Sequence, residues 1–398
     1  MSRGRANLVL ATLFLGMFVL GTAELLVVGV LNVIAADLQV SIPAAGASVT
    51  GYALGLAIGG PLLAALTIRL DKRIVLAGAL LLFVLANLVT VLTSSYALFL
   101  AARVGTGAFQ GLFIAAAFGV GISVVAPERM GRAISVVVSG VTVSAALGVP
   151  LGTLVGQLLG WRGSFVAIIV VSVVALVATL ALVPSVSSTG AGAGSQARYA
   201  FAPRVLAVLV LHILVFAAIY TALTYIVPFL ETVTGVSGAW ISVFLLAYGV
   251  ATAVGSMSGG RFADRNAART LIAGSIGVTA ALAVLHLMGA FVLLAAVAVL
   301  AMGLFGMGMA PSLQYRVVSL AGPGGALAQS LPASAVNVGI AVGSYAGGVA
   351  VERATASSVV LPGLVIAVLA VVVAVATRKL APPVVEAAEP AATGSLDR

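Results

Sequence analysis

The sequence predicts an all-α integral membrane protein of twelve transmembrane helices in two pseudo-symmetric halves of six, and three observations carry that prediction. Apolar residues make up 62% of the chain and charged residues 7%, against roughly 45–50% and 25% in soluble domains. Apolar runs of about 20 residues, the length that a ~30 Å hydrocarbon layer requires, recur from end to end. A Gly/Ser/Ala-rich stretch interrupts them near mid-chain.

In chain order the runs are 8–35, 45–67, 74–93, 97–124, 133–158, 164–183, 205–230, 239–260, 270–288, 290–311, 326–349 and 359–377. None alternates polar with apolar at period two, so a barrel is a poor alternative. Several exceed the span length, which predicts tilt or helix extending beyond the lipid. Arg3 and Arg5 before an apolar run imitate a secretory leader. That run passes the small residues Gly21, Thr22 and Ala23 and continues to Ala36, too long for a signal core.

Placing the N-terminus inside puts sixteen of the 19 Lys and Arg in the cytoplasm, among them Arg69, Lys72, Arg73, Arg129, Arg132, Arg265, Arg269 and Arg398. Arg162 and Arg353 fall outside, and Arg103 lies within a span. The bias predicts that both termini are cytoplasmic. The net charge of +9 is then a topology signal, and no nucleic-acid partner is called for. Asp37, Glu231 and Glu352 fall in outer loops; Asp71, Glu128 and Asp264 fall in inner ones. The chain has no Cys and two His, which removes disulfides, thiolate metal sites and cysteine nucleophiles. No metal and no organic cofactor is expected.

The Gly/Ser/Ala stretch, 185–203, has the composition of a flexible linker. It divides the chain into an N-terminal half, 1–184, and a C-terminal half, 204–379; a proline-containing tail, 380–398, lacks apolar period and is expected to be disordered. Sliding one half over the other by 196 residues pairs Tyr52 with Tyr248, Gly59 with Gly255, Arg69 with Arg265, Arg73 with Arg269 and Gly78 with Gly274. Parallel repeats of this kind place a substrate site near the midplane between halves that rock against each other.

Glu24 is the one carboxylate inside the apolar runs. A charged group near a bilayer centre costs roughly 2.5–3.5 kcal/mol on insertion scales, so an unpaired carboxylate there is either protonated or faces a polar cavity. Both describe a proton-binding site, and the competing reading is a Glu hydrogen-bonded between helices for packing alone. Arg103, in the fourth run, shares a helical face with Gly107 and Gln110. It needs a partner or water as well, supplied by Glu24 or by backbone near a helix end.

Three local patterns together resemble the major facilitator superfamily, and within it the twelve-span drug:proton antiporters such as bacterial chloramphenicol exporters and arabinose-efflux-like permeases. The first span, GTAELLVVGVLNVIAADLQVS, is similar to their first-span signature, with Leu25 in place of Phe and Asn32 in place of Pro. Without that proline the helix is expected to run straighter. The loop between the second and third runs keeps Gly59, Gly60, Arg69, Lys72 and Arg73, but Ile68 stands where the family has Asp, and Asp71 arrives three residues later. The second half keeps Asp264, Arg265 and Arg269. Such charges either latch the halves together on the inner side or simply anchor the loops in the cytoplasm. The fifth run carries Gly140, Gly148, Pro150, Gly152 and Gly156, resembling the family's antiporter motif. Small residues four apart let helices approach closely and Pro150 removes a backbone bond, which suits a tight seam between halves. Gly339, Gly343, Gly347 and Gly348 echo the motif in the eleventh run.

The resemblance implies a monomeric transporter in the bacterial plasma membrane, exporting a small hydrophobic compound, drug-like or sugar-like, with the proton as coupling ion. It implies Glu24 and Arg103 as the proton-coupling pair, Arg103 matching the family's fourth-span basic residue. Gly59, Arg69, Arg73, Gly148, Pro150, Gly152, Asp264 and Arg265 become gating positions. Candidate substrate contacts are Glu24, Asn32, Gln110, Phe113, Tyr220, Tyr225, Met307 and Asn337, because pockets for such compounds are mostly apolar with a few orienting polar groups; core packing is the alternative for each. His212 reads as a core histidine and His286 as peripheral. Import of a metabolite is the second reading. A membrane enzyme would need acid pairs, His clusters or a metal set, none of which the sequence provides.

Overall fold

The computed structural model describes residues 3–126, 129–186, 198–329 and 331–383. Most of the linker, 187–197, most of the tail, 384–398, and Glu128 lie outside the described residues, as does the side chain of Arg132.

The described chain is helical throughout. The first part comprises α1 (Arg3–Gly29), α2 (Leu31–Asp37), α3 (Ile42–Leu54), α4 (Gly60–Leu66), α5 (Lys72–Leu92), α6 (Tyr96–Ser123), α7 (Met130–Val143) and α8 (Val149–Leu182). The second comprises α9 (Pro203–Leu223), α10 (Ile226–Phe229), α11 (Ala239–Met288), α12 (Val292–Gly308), α13 (Ala310–Ala321), α14 (Gly325–Ala328), α15 (Leu331–Arg353) and α16 (Val360–Thr377). Single π-helical turns join α3 to α4 (Gly55–Gly59) and α7 to α8 (Ser144–Gly148), and one follows α10 (Leu230–Thr234).

Ten helical stretches among the described residues are long and apolar enough to cross a membrane. Two of them, Ala133–Leu182 and Ala239–Met288, run to 50 residues. At 1.5 Å per residue either would measure about 75 Å if straight, more than twice a hydrocarbon layer. Each contains one non-helical residue. Gly160 has φ 77 and ψ 160, a conformation that a Cβ would oppose. Asn266 is extended, and its Oδ1 accepts from Arg269 N at 2.9 Å, capping the helix that restarts there.

Apolar side chains point outward as well as inward. On α5, Leu76, Leu80 and Phe83 are buried while Leu81, Leu85, Leu88 and Leu92 are exposed. That much exposed apolar surface suits lipid as solvent, and the all-helical backbone satisfies its own polar groups as lipid demands. Buried hydroxyls such as Thr153, Ser172, Thr179 and Thr221 bond to the carbonyl four residues earlier, at 2.6–2.8 Å.

The first span is interrupted. Val30 has φ −122 and ψ 18, and its N–H reaches Val27 O rather than continuing the α ladder. The straighter helix expected from the missing proline is therefore not formed, because Gly29, a poor helix former, lies at the break. The corresponding run in the second part breaks similarly at Thr224 and Tyr225, ahead of Pro228.

The glycine-rich face of α7 and α8 meets α1. A Cβ at Gly148, Gly152 or Gly156 would collide with Thr22, Leu26 or Val30, and one at Gly140 with Phe14, Met17 and Phe18. Gly21 and Gly29 of α1 return the arrangement against Ser144 and Thr153. α15 packs on α9 likewise, Gly339 against Ile213 and Phe216, Gly343 against Ala217, Gly347 against Thr221. Partners stand equally far apart in sequence in both pairs (22 and 148, 217 and 343). The motif thus closes helices within one part of the chain, contrary to the expectation that it forms the seam. The seam contact from this segment comes from its other face, where Ala145 and Ala146 meet Gly249 of α11.

α3 packs on α15 across the same seam. At the end remote from Arg3, the Tyr225 ring lies over Gly46 and Gly348, and Gly348 faces Pro43. Among the described residues two hydrogen bonds join 3–186 to 198–383, Asn32 Nδ2 to Glu231 and Gln157 Nε2 to Gly238 O at 3.1 Å, both at this remote end. At the near end the bonds stay within each part: Arg73 to Leu180 O, Arg204 to Leu320 O, Arg316 to Thr377 O.

Candidate functional site

α6 presents Arg103, Gly107 and Gln110 on one buried face, as their spacing implies. Gly107 lets the backbone of α6 approach the carbonyl of Tyr52 on α3, so near that any Cβ would overlap it. That approach places Arg103 over the Tyr52 ring, 4.2 Å from guanidinium carbon to ring centroid. Arg103 also donates to Ala23 O at 3.0 Å and to the main-chain O of Glu24 at 3.4 Å. Its Nε is buried without a partner.

The Glu24 carboxylate is held separately. Gln110 Nε2 donates to Glu24 Oε2 at 2.6 Å, and the Tyr52 hydroxyl donates to Gln110 Oε1. Among the described residues the ion pair within 4.0 Å is Arg162 with Asp37. Arg103 therefore bonds the Glu24 main chain and reaches its carboxylate only through Tyr52 and Gln110. Gln110 and Tyr52 form a neutral bridge between the two charged groups.

Glu24 is half-buried and faces a crevice lined by Leu25, Val28, Val49, Tyr52, Ala53, Tyr220 and Ile340. These residues come from α1, α3, α9 and α15, so the crevice straddles the seam. It consists of narrow gaps, none wide enough to seat a water molecule. In this conformation the carboxylate is shut in among Tyr hydroxyls and aliphatic side chains.

The other candidates are dispersed. Asn32 lies one break beyond α1, beside a second cavity of about 170 Å³ with Gln157, Val227, Glu231 and Ile241. Phe113 is buried over Gly16 in the core. Tyr225 donates to Ser344 O at 3.1 Å in the remote end of the seam. Asn337 is buried three residues before Ile340, with Nδ2 on Ala333 O at 3.0 Å and Oδ1 unpartnered. Met307 is half-buried against the core. None of these five lines the crevice. Tyr52, which sequence reasoning used only to register the repeat, does line it. His212 is buried with Nδ1 3.2 Å from Val208 O, and His286 is exposed.

Of the gating positions, Gly59 sits against Ala108, a Cβ there coming within 2.6 Å of it, and Gly148 and Gly152 face α1 as described. Pro150 starts α8 directly after the π turn. Asp71 caps α5, accepting from Arg73 N at 2.9 Å, and also takes the Ser185 hydroxyl. That hydroxyl and the capping N–H groups hold the Asp71 carboxyl below the usual carboxylate range, against a smaller opposing effect of burial. Arg73 binds Leu180 O, while Arg69, Asp264 and Arg265 are exposed and take part in no hydrogen bond or ion pair among the described residues. At the remote end, Arg162 holds Asp37 below its ordinary range and bonds Val91 O and Thr93 O, each at 3.0 Å.

A half-buried carboxylate thus lies among helices long and apolar enough to cross a membrane, beside a crevice lined from both parts of the chain. The family model described as Major Facilitator Superfamily matches residues 13–331. The chain belongs to the Major Facilitator Superfamily. It is 34% identical over 355 residues to the uncharacterized MFS-type transporter YtbD of Bacillus subtilis, covering 87% of this chain and 90% of that one. It is 30% identical over 386 residues to the inner membrane transport protein YdhP of Escherichia coli, covering 96% and 98%. It is 33% identical over 330 residues to a chloramphenicol resistance protein of Streptomyces lividans, covering 81% and 84%. Among solved structures it superposes with a bacterial homologue of the human lysosomal transporter Spinster, inward-facing and occupied, at a TM-score of 0.81 and 15% identity over 96% of this chain and 98% of that one. As a superfamily member the chain is a multi-pass membrane transporter, and its family is one of transporters, not enzymes.

Proposed function

We propose that this superfamily member is a proton-coupled exporter of small, largely apolar compounds, with Glu24 as the group that binds the coupling proton. The observation that carries the reading is the position of Glu24: a carboxylate on the seam, bonded by the neutral Gln110 amide, in a crevice whose walls come from both parts of the chain. A carboxylate so placed has no counter-ion in contact, so gain or loss of one proton changes the charge of the crevice outright. The Tyr52 and Tyr220 rings with Val28, Val49 and Ile340 give it the apolar walls that a hydrophobic ligand needs.

The proposed architecture is twelve passes, counting each 50-residue stretch as two that turn at Gly160 and Asn266, in halves 1–184 and 204–379 joined by the 185–203 linker. Both termini are cytoplasmic, the membrane is the bacterial inner membrane, and the transporter works as a monomer. The matching packings of α7 and α8 on α1 and of α15 on α9 support the halves, as does the paired approach of Tyr52 to Gly107 and Tyr248 to Gly303. With the seam held at the remote end and no bond crossing at the near end among the described residues, this conformation is read as closed to the outside. Substrate enters from the cytoplasm while Glu24 is ionised. Protonation from the outer side neutralises Glu24, favours release and permits return; the differing proton affinity of the two states drives the cycle. The likeness to a chloramphenicol resistance protein supports export of antibiotic-like compounds.

The test is dissipation of a pH gradient in proteoliposomes, wild type beside Glu24→Gln, as chloramphenicol, other hydrophobic antibiotics and sugars are added. Substrate-induced proton release that requires Glu24 is the expected result. Concentrative export by a folded Glu24→Gln protein would sink the assignment.

A further inference from the structure

The second polar point on the seam lies at its remote end. Asn32 stands where the resembled signature has proline, and its Nδ2 donates to Glu231 Oε2 across the seam. Its other amide atom, Oδ1, is buried and has no partner. Left so, that oxygen forfeits its solvation. The nearest chemistry able to satisfy it is already in contact. An ionised carboxylate offers no donor, whereas a protonated one has an O–H that can turn to Oδ1 while its carbonyl oxygen keeps the bond from Nδ2. Acid and primary amide then close a ring of two hydrogen bonds.

We infer that Glu231, just beyond the seventh apolar run, and Asn32 form a second proton-binding site at the remote end of the seam, and that the proton bound there holds the outer end of the seam shut. The 170 Å³ cavity beside the pair, with Gln157 and Gly238 on its wall, is roomy enough for water and gives the proton a path from the outer face. The cavity beside the pair shares no lining residue with the Glu24 crevice, and the proton returns to the side it came from, regulating the gate without adding to the transported charge. Glu231 is exposed on its outer side, and partial desolvation against the seam raises its carboxyl above the usual range, more than the Asn32 amide lowers it. When the seam opens the ring with Asn32 is lost, so the proton is bound more tightly in the closed state and favours closure as pH falls.

The surroundings add no competing charge. α10 and the turn 356–359 packed nearby carry no ionisable group, and Asp37 on α2 is taken by Arg162. Glu352, Arg353 and His286, on neighbouring helix ends, are exposed and make no hydrogen bond to Glu231 among the described residues.

The inference uses the orientation proposed above but not the proton role of Glu24, so the test is run in a Glu24→Gln background and reads distance, not transport. The chain has no Cys, so spin labels at Ser94→Cys and Ser237→Cys, both exposed, report the outer gap alone. As pH is lowered from about 8 to about 5 the short-distance population should rise, about tenfold in closed-to-open ratio for each unit by which closure raises the Glu231 carboxyl. Glu231→Gln, whose amide pairs with Asn32 at any pH, should stay short throughout, and Asn32→Leu should lose the pH response. An unchanged pH response in Glu231→Gln, or none in the parent, would overturn the inference.

Discussion

Gln110 donates its amide N–H to the Glu24 carboxylate at 2.6 Å, while Arg103 binds the Glu24 main-chain oxygen at 3.4 Å. The charged pair expected in the core is thus split by a neutral relay of Gln110 and Tyr52. The Glu24 carboxylate has an amide in contact and a guanidinium one side chain removed.

Replacing Gln110 by Leu should cut substrate-driven proton release. It strands the Glu24 carboxylate, at about 1–3 kcal/mol, while the Tyr52 hydroxyl can turn to Leu20 O at 3.4 Å, so a loss of about 5- to 150-fold is expected. Tyr52→Phe removes a single hydroxyl bond, worth about 1 kcal/mol, and should cost less than tenfold. Initial rates of pH-gradient dissipation in proteoliposomes measure both.

Arg103→Lys should not substitute for Arg103. The guanidinium carbon lies 4.2 Å from the Tyr52 ring centroid while its two NH₂ groups reach the carbonyls of Ala23 and Glu24. An ammonium is a point donor and cannot hold that geometry. Thermal unfolding in detergent should show a lower Tm for Arg103→Lys, and transport should fall with it; wild-type values of both would contradict the arrangement.

Substitutions on the two faces of the α7–α8 segment should separate stability from gating. Gly148→Ala drives a methyl into Thr22 on α1, an overpacking worth about 1–3 kcal/mol, and should lower Tm. Gly249→Ala meets Ala145 and Ala146 across the seam, where the halves can part. It should leave Tm nearly unchanged and widen the gap read by spin labels on α7 and α11.

Asp71→Ala should lower Tm at neutral pH, by the equivalent of about 1 kcal/mol for a lost N-cap; solvent screening keeps the charge's own share small. Because the folded state holds the Asp71 carboxyl below its ordinary value, its contribution is full above about pH 3.9 and lost as pH falls through the lower folded value. The Tm gap between variant and wild type should therefore shrink on acidification. A gap constant with pH would show that the carboxylate's charge contributes nothing.

Much of this was legible in the chain. The apolar runs located the helices because a bilayer imposes length and composition directly on sequence. Glu24 and Arg103 stood out because charge in an apolar run is costly and so seldom present without use. The repeat that paired Tyr52 with Tyr248 reappears as paired approaches to Gly107 and Gly303. The break at Val30 stayed hidden, having no proline to announce it, whereas Gly160 and Asn266 fall in the gaps 159–163 and 261–269 between the apolar runs.

By itself the sequence determined that the chain lives in lipid, where its helices run and which charged groups the bilayer must accommodate, since these follow from the local cost of transferring each residue. Tertiary structure alone decided who meets whom. It turned the glycine motif toward α1 instead of the seam, interposed Gln110 and Tyr52 between Glu24 and Arg103, and brought Asn32 against Glu231. Those pairings join residues far apart in the chain, and the hydropathy of each run is the same whichever neighbour its helix faces.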